Sequence, residues 1–297
     1  MTPALDPTET PGNTIAQALL RVQHMGLPRP EAEYLLLHLL DKDVTHRAWL
    51  RAHDTDVLAA VTDDAFQALC TRRLAGEPVA YLTGRKAFYG LDLTVDARVL
   101  DPRPDTECLV DWALEVLPAP PPDNTRPLRF ADLGTGSGAI ALAVAGQRPD
   151  VSVWAVDASA DALAVATHNA QHLRLPVTLL LGSWLHPLLE QSIRVDVLVS
   201  NPPYIREDDP HLPALVHEPR QALVSGADGL DDIRHIVTHA PQVLKPGGWL
   251  LFEHGFDQAD AVAKLLTQRG FESVQSRKDL AGHLRCTGGQ WPRAAKP

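Results

Sequence analysis

Three places in this 297-residue chain hold residues whose types and spacing could do chemistry. The first is Asp132-Leu133-Gly134-Thr135-Gly136-Ser137-Gly138, set between an apolar run and a helix-like one. Glycines there let the backbone turn sharply and pass close to a ligand, while a helix N-terminus offers free N–H groups to an anion. The spacing is G-x-G-x-G rather than G-x-G-x-x-G, so the loop alone suits either a ligand or tight packing. The second is Asp157, 19 residues past Gly138. A carboxylate at that separation can accept both hydroxyls of a ribose, and it equally suits a cap for a helix opening at Ser159. Together the two point to an adenosine-containing cofactor.

The third place is Asn201-Pro202-Pro203-Tyr204, directly after the apolar run Val195–Ser200. Two successive prolines fix φ and remove two backbone donors, making a rigid rim with outward carbonyls. Asn201 adds an amide oxygen, and Tyr204 an aromatic face with a hydroxyl. Such a rim suits a planar group bearing an NH₂: the Asn201 oxygen and a backbone carbonyl accept its two hydrogens while Tyr204 stacks on the plane. An amide nitrogen is a poor nucleophile because its lone pair is delocalised. Gripping both hydrogens and aligning the nitrogen with an electrophilic methyl supplies orientation and stabilises growing positive charge. No His/Cys/Asp/Glu spacing suggests a metal, and no nucleophile–base motif is evident.

The elements that must position these residues alternate after residue 128. Strands are expected at Arg129–Leu133, Val151–Val156, Val177–Leu181, Val195–Ser200 and Trp249–Glu253. Helices are expected at Ala139–Gln147, Ser159–Leu173, Asp231–Leu244 and Gln258–Arg269, with an antiparallel edge pair at Phe271–Ser276 and Leu284–Thr287. That alternation predicts βαβ units around a largely parallel sheet. Upstream, Thr14–His24, Glu31–Leu40 and Asp63–Ala75 have helical periodicity and suggest a small helical domain. Val79–Leu82 and Phe88–Val95, around Gly84, read as a β-hairpin bridging the two parts. A helix follows over Asp105–Leu117. Residues 1–13 read as a frayed tail, and Pro118–Pro127 as an exposed connector. The expected organisation is 1–78 helical, 79–101 hairpin and 102–297 catalytic.

Composition narrows the function. The chain carries 27 Lys+Arg against 37 Asp+Glu, a formal charge of −10. Residues 1–100 hold 10 basic and 13 acidic side chains, so no basic module is concealed there. Generic nucleic-acid binding needs the opposite balance, and no stable nucleic-acid partner is expected. Cys70, Cys108 and Cys286 are three and far apart, which fits neither a disulfide framework nor zinc spacing and suggests a reducing cytoplasm. No apolar run approaches the roughly 20 residues of a membrane span, and the N-terminus lacks a signal-peptide pattern.

At this point the chain resembles the HemK/PrmC family of class I methyltransferases, over about Arg72 to Thr287. The resemblance is carried by Gly76–Gly84, Pro102–Glu107, Asp132–Ala141, Ser200–Ile205, Ser225–Asp231, Pro246–Gly255 and Asp279–Gly282. It implies a Rossmann-like α/β sheet with a small helical N-terminal domain. It also implies transfer of methyl from S-adenosyl-L-methionine, leaving S-adenosyl-L-homocysteine, to the N5 amide of the Gly-Gly-Gln glutamine in class 1 peptide-chain release factors. By position, Gly134, Thr135, Gly136, Ser137 and Gly138 would wrap the methionine end of the cofactor and Asp157 its ribose. Trp184 would lie against the adenine, and Asn201, Pro202, Pro203 and Tyr204 would grip the glutamine. The helical domain would dock the release factor, and a monomer is expected. One departure follows Gly282, where His283-Leu284-Arg285 replaces an expected acidic residue and Arg.

Other features stay open in the sequence. Arg103 and Glu107 could touch substrate or tie the hairpin to the core. Glu253 and His254 could line the pocket or cap the sheet. Arg72, Arg73, Arg85 and Lys86 form a local basic group that could meet an acidic or RNA-associated partner, and Gly288-Gly289-Gln290 mimics the substrate tripeptide by coincidence. The alternative enzyme is a nucleic-acid amino-methyltransferase acting on adenine N6 or guanine N2, using the same tetrapeptide on a flipped base. A non-catalytic cofactor-binding scaffold is the third reading, and the intact motifs argue against it.

Overall fold

The computed structural model describes residues 12–119 and 127–293. Residues 1–11 of the expected tail over 1–13, and most of the Pro-rich connector, therefore lie outside the described residues. The chain divides into two compact units, one ending at Gly84 and the other beginning at Arg85.

The first unit is helical: α1 (Ile15–His24), α2 (Arg29–Leu39), α3 (Arg47–Ala52), α4 (Ala60–Leu74) and α5 (Val79–Thr83). Thr14 and Gln17 form a reciprocal capping box that starts α1. Ile15, Leu19 and Val22 of α1 pack with Leu35 and Leu36 of α2 and with Phe66 and Cys70 of α4 in one apolar cluster. Arg21 grips Asp63 with two hydrogen bonds of 3.1 and 2.6 Å, tying α1 to α4. That guanidinium holds the Asp63 carboxyl below the usual carboxylate range.

The second unit opens with a hairpin, β1 (Arg85–Phe88) and β2 (Leu91–Thr94). Tyr89 and Gly90 turn it with φ of +49° and +74°, the paired positive dihedrals that match strand twist in a two-residue turn. Here the structure corrects the sequence reading. Val79–Leu82 is not the hairpin's first arm but part of α5, because Pro78 presets its first turn and Gly84, at φ +70°, ends it in the left-handed conformation. The first arm is the more polar Arg85-Lys86-Ala87-Phe88.

After α6 (Glu107–Val116) come β3 (Leu128–Leu133), α7 (Ala139–Gln147), β4 (Val151–Asp157), α8 (Ala160–Leu173), β5 (Val177–Leu181), α9 (His186–Glu190) and β6 (Val195–Ser200). They are followed by α10 (Asp231–His239), β7 (Leu244–Glu253), α11 (Ala259–Arg269), β8 (Glu272–Lys278) and β9 (Leu284–Gln290). The seven-stranded sheet has the order β5-β4-β3-β6-β7-β9-β8, parallel except for the β9 pairings. β6 is buried at every residue, as a central parallel strand covered on both faces must be. The expected helix over Asp231–Leu244 stops at His239, where Pro241 falls in a tighter turn, and β7 begins at Leu244 rather than Trp249. Gly288 and Gly289 sit in β9. A Cβ on Gly288 would lie 2.7 Å from the Leu250 carbonyl oxygen, so this tripeptide is spaced for strand packing.

Candidate active site

Strand order reverses between β3 and β6, since β4 and β5 lie to one side and β7 to the other. Open α/β sheets bind ligands in the crevice at such a switch point, outside the carboxyl ends of the strands. A cleft of about 830 Å³, including its open mouth, lies there. It is lined by Gly134, Gly136, Asp157, Trp184, Asn201 and Pro203, together with residues of the 98–100, 158–162 and 219–222 segments. Three sequence motifs separated by up to 67 residues thus share one wall.

The glycine loop leaves β3 with Gly134, Gly136 and Gly138 at φ of +70°, +55° and +85°, conformations that a side chain at Cβ would strain. The Gly136 N–H donates to Asp157 Oδ2 at 2.8 Å, and the Ser159 N–H donates to Oδ1 at 2.9 Å. Asp157 therefore both braces the loop and caps the turn before α8, where Ser159 is the N-cap. Each carboxylate oxygen keeps a further lone pair for a hydroxyl. The Trp184 ring stands against Gly134, so that a Cβ there would be 3.3 Å from it, while also packing on the core. Thr135, Ser137 and Gly138 do not form the cleft wall. Thr135 donates to Asp132 Oδ2 at 2.6 Å, the Ser137 carbonyl accepts from Asn169, and Gly138 precedes α7.

Asn201 leaves β6, whose last residue, Ser200, donates to the Leu133 carbonyl at 2.7 Å and locks the two strand ends together. The Asn201 Nδ2 donates to Thr106 Oγ1 at 3.3 Å, and its Oδ1 is buried without a hydrogen-bond partner. Native proteins rarely strand a buried acceptor. Pro202 and Tyr204 do not form the cleft wall. Tyr204 donates to Glu253 Oε1 at 3.5 Å, and burial pushes its hydroxyl pKa up. The Tyr204 carbonyl accepts from Gln258 Nε2 at 3.0 Å, and Gly229 passes so near that a Cβ would be 2.2 Å from that oxygen. The Ser225–Asp231 segment thus backs the Asn-Pro-Pro-Tyr rim.

Residues 14–84 match the PrmC N-terminal domain and residues 112–269 the methyltransferase small domain. The release factor glutamine methyltransferase of Xylella fastidiosa (strain Temecula1) is 48% identical over 278 residues, covering 93% of this chain and 98% of that protein. That of Bordetella pertussis is 49% identical over 89% of this chain and 95% of its own length. That of Escherichia coli K12 is 40% identical over 93% and 97%. The chain belongs to the release factor glutamine methyltransferase family. Among solved structures, the hMettl16 catalytic domain with a MAT2A 3′UTR hairpin superposes with a TM-score of 0.55 at 13% identity, covering 82% of this chain and 85% of that one. A methyltransferase from Pyrococcus furiosus gives 0.50 at 18% identity, over 75% and 98%. At such identities these likenesses speak for the fold alone, the Rossmann-like sheet of class I methyltransferases.

In this member of the release factor glutamine methyltransferase family, several open residues take definite places. Glu107 accepts the Tyr89 N–H at 2.8 Å, tying the hairpin turn to α6. Arg103 pairs with Glu218 and with Asp101, the latter at 3.3 Å, and Lys86 reaches Asp101 at 2.9 Å. Arg72 pairs with Glu77, Arg73 with Glu31 and Arg85 with Asp92, so each member of the basic group has an acidic partner. His254 is buried between the Gly255 carbonyl and Thr287 Oγ1, 2.7 Å away. Arg285, left without a role by the sequence, lies 3.5 Å from Asp105 and 3.4 Å from Asp279.

Two buried carboxyls had no definite role in the sequence, although Asp132 opens the glycine motif and Glu253 stood open between lining the pocket and capping the sheet. Burial pushes Asp132 up to about 7, against the hydrogen bonds from Thr135 and the Ala141 backbone. Burial likewise pushes Glu253 up to about 7, against Thr106, Arg285 and Asn201. Neither lines the cleft wall. Asp132 stands one residue before the end of β3, and Glu253 ends β7. Among the described residues no group of three or more His, Cys, Asp or Glu could hold a metal, and no helix is long and apolar enough to cross a membrane.

Proposed function

We propose that this chain methylates the side-chain amide nitrogen of the glutamine in the Gly-Gly-Gln motif of class 1 release factors. The observation that carries the reading is the buried, unpartnered Asn201 Oδ1 beside the glycine-loop cleft. S-adenosyl-L-methionine, when bound, supplies a methyl group on a positively charged sulfur and leaves as S-adenosyl-L-homocysteine. The cleft fits it: Gly134 and Gly136, both left-handed, admit a backbone-hugging chain, Asp157 retains acceptor capacity for a ribose, and Trp184 offers an aromatic face.

The chain's own residues then do three things. Asn201 Oδ1 accepts one hydrogen of the glutamine amide and a backbone carbonyl of the Asn-Pro-Pro-Tyr rim the other, fixing the plane of the nitrogen. Tyr204 flanks that plane. The two acceptors also stabilise positive charge that grows on the nitrogen as it is alkylated, an effect worth most in a site from which water is excluded. The cytoplasm is the expected setting.

Labelled S-adenosyl-L-methionine, with either a release factor or duplex DNA and rRNA, tests the reading. Label is expected in the release factor and is expected to vanish when its Gly-Gly-Gln glutamine is changed to alanine. Label confined to nucleic acid overturns it. Asn201→Ala should lower transfer by at least about a hundredfold, as loss of one such polar contact can, while cofactor affinity changes little.

A further inference from the structure

We infer that Glu218 is a positioning residue for the cofactor: its carboxylate ties the 98–101 segment to the 218–222 segment, so that the two stand as one wall of the cleft. The inference rests on the reading of that cleft as the S-adenosyl-L-methionine site. Arg98, Val99 and Leu100 line the cleft from one segment, and Pro219, Gln221 and Ala222 from the other. The first lies between β2 and α6, and the second in the excursion that leaves the Asn-Pro-Pro-Tyr rim and returns to α10. The base of that excursion is closed by the N–H groups of Tyr204 and Ile205, which donate to the Leu223 carbonyl at 3.2 and 2.8 Å.

Glu218 joins the two segments through both of its oxygens. The Arg103 guanidinium donates to Oε1, and the Asp101 backbone N–H donates to Oε2 at 3.3 Å. These donors are 115 and 117 positions away in the chain. The Glu218 side chain is only 3% exposed, and a buried carboxylate persists only where donors of this kind replace water. Local sequence aims the donors. Asp101 and Arg103 each precede a proline, which favours extended backbone, and Arg103 has φ −89° and ψ 143°. In an extended chain alternate residues share a side, and Arg103 Nη1 reaches Asp101 Oδ2 at 3.3 Å. Glu218 likewise precedes Pro219, and its own N–H donates to the Leu215 carbonyl at 2.9 Å, ending the turn before it.

The clamp stands at the edge of the cleft. Glu218 comes directly before the first lining residue of its segment, and Asp101 directly after the last of the other. Neither of them lines the cleft, nor does Arg103. A ligand that needs both segments in place binds more weakly in proportion to the fraction of molecules in which the wall is formed. Asn201 and Ser200 are held by other partners, Thr106 and the Leu133 carbonyl. Loss of the clamp therefore acts on cofactor affinity and spares the chemistry once cofactor is bound.

The test titrates full-length wild type, Glu218→Gln, Arg103→Met and the double variant with S-adenosyl-L-methionine by calorimetry. It also measures kcat and KM for an unmethylated release factor at saturating cofactor. Each single variant should raise the cofactor Kd about tenfold or more, the loss expected if the wall is formed a tenth of the time, while kcat stays within about threefold. The double variant should bind no more weakly than the poorer single one, because either change already opens the clamp. A Kd within threefold of wild type in both single variants, multiplying losses in the double variant, or a fall in kcat at unchanged Kd overturns the inference. Wild type alone gives a second reading: cofactor should slow amide hydrogen exchange over 98–103 and 218–224 together. Protection of one segment without the other overturns the inference, and this measurement decides if the variants do not fold. A wild type that binds no S-adenosyl-L-methionine overturns the cofactor reading and the inference with it, whereas normal wild-type binding with unaltered variants removes only the role of Glu218.

Discussion

At the scale of single residues, the site joins a few side chains whose roles differ by what surrounds them. Asp157 ends β4, and Asp132 stands one residue before the end of the neighbouring β3. Asp157 is held by the N–H groups of Gly136 and Ser159, whereas Asp132 is wholly buried with Oδ1 unpartnered. A carboxyl raised from 3.8 to about 7 in the fold binds its proton more tightly there than in the unfolded chain. Its contribution to stability is therefore fully present below about 4 and is lost as pH rises through about 7. Asp132→Asn removes that titration. The stability of wild type relative to Asp132→Asn should thus be greater at pH 5 than at pH 8, by more than about 1 kcal/mol, since each tenfold gain in proton affinity on folding corresponds to about 1.4 kcal/mol. Paired denaturant melts of the two proteins at both pH values check this, and a pH-independent difference refutes it. The type and spacing of Asp157 and Asn201 were readable in the chain because each follows an apolar strand directly. Glu253 and Thr106 were not, because the residues they meet, Tyr204 and Asn201, are 49 and 95 positions away and reached only by folding.

At the scale of elements, the parallel strands and their helices were legible because their apolar periods are strong and bounded by glycine and proline. The misses have local causes. Arg47–Ala52 and His186–Glu190 are helices of six and five residues, too short to show a period. Val79–Leu82 looks strand-like in composition, but Pro78 and Gly84 bracket one helical turn. The Ser225–Asp231 segment was recognisable by resemblance, yet its purpose emerges only from packing. Gly229, at φ +75°, leaves room for the Tyr204 carbonyl and for Gln258 Nε2, which would be 2.2 and 2.8 Å from a Cβ. Gly229→Ala must therefore strain its own backbone and push the Asn-Pro-Pro-Tyr rim. Its kcat on a release factor should fall at least tenfold, with a cofactor affinity within a few-fold of wild type, because Gly134 and Gly136 lie in the loop after β3 and Asp157 at the end of β4. Equal loss of cofactor binding would mean that the rim and the glycine loop move together.

At the scale of the whole molecule, a glutamine side chain offers little surface by which one protein can be told from another. Selectivity for a release factor must come from contacts away from the amide, and we propose the helical unit ending at Gly84 as a surface that supplies them. It has its own core around Phe66, Leu35 and Leu36, so its surface can be altered without touching the sheet. Its basic side chains Arg21, Arg72 and Arg73 are engaged with Asp63, Glu77 and Glu31. With those charges paired and a formal charge of −10 overall, docking there should depend on apolar contact more than on attraction to phosphate. Leu20 and Val61 are 53% and 76% exposed, and Leu20 edges a shallow groove with Arg29, Leu50 and Arg51. Leu20→Asp combined with Val61→Asp should raise KM for the intact release factor at least threefold, given that an interface side chain often contributes about 1 kcal/mol. Turnover of a short Gly-Gly-Gln peptide and binding of cofactor should not change, because neither needs that surface. The contrast between protein and peptide substrates is the decisive measurement. An unchanged KM for the release factor would remove the helical unit from recognition, and a parallel loss with the peptide would show that the substitutions act through the fold.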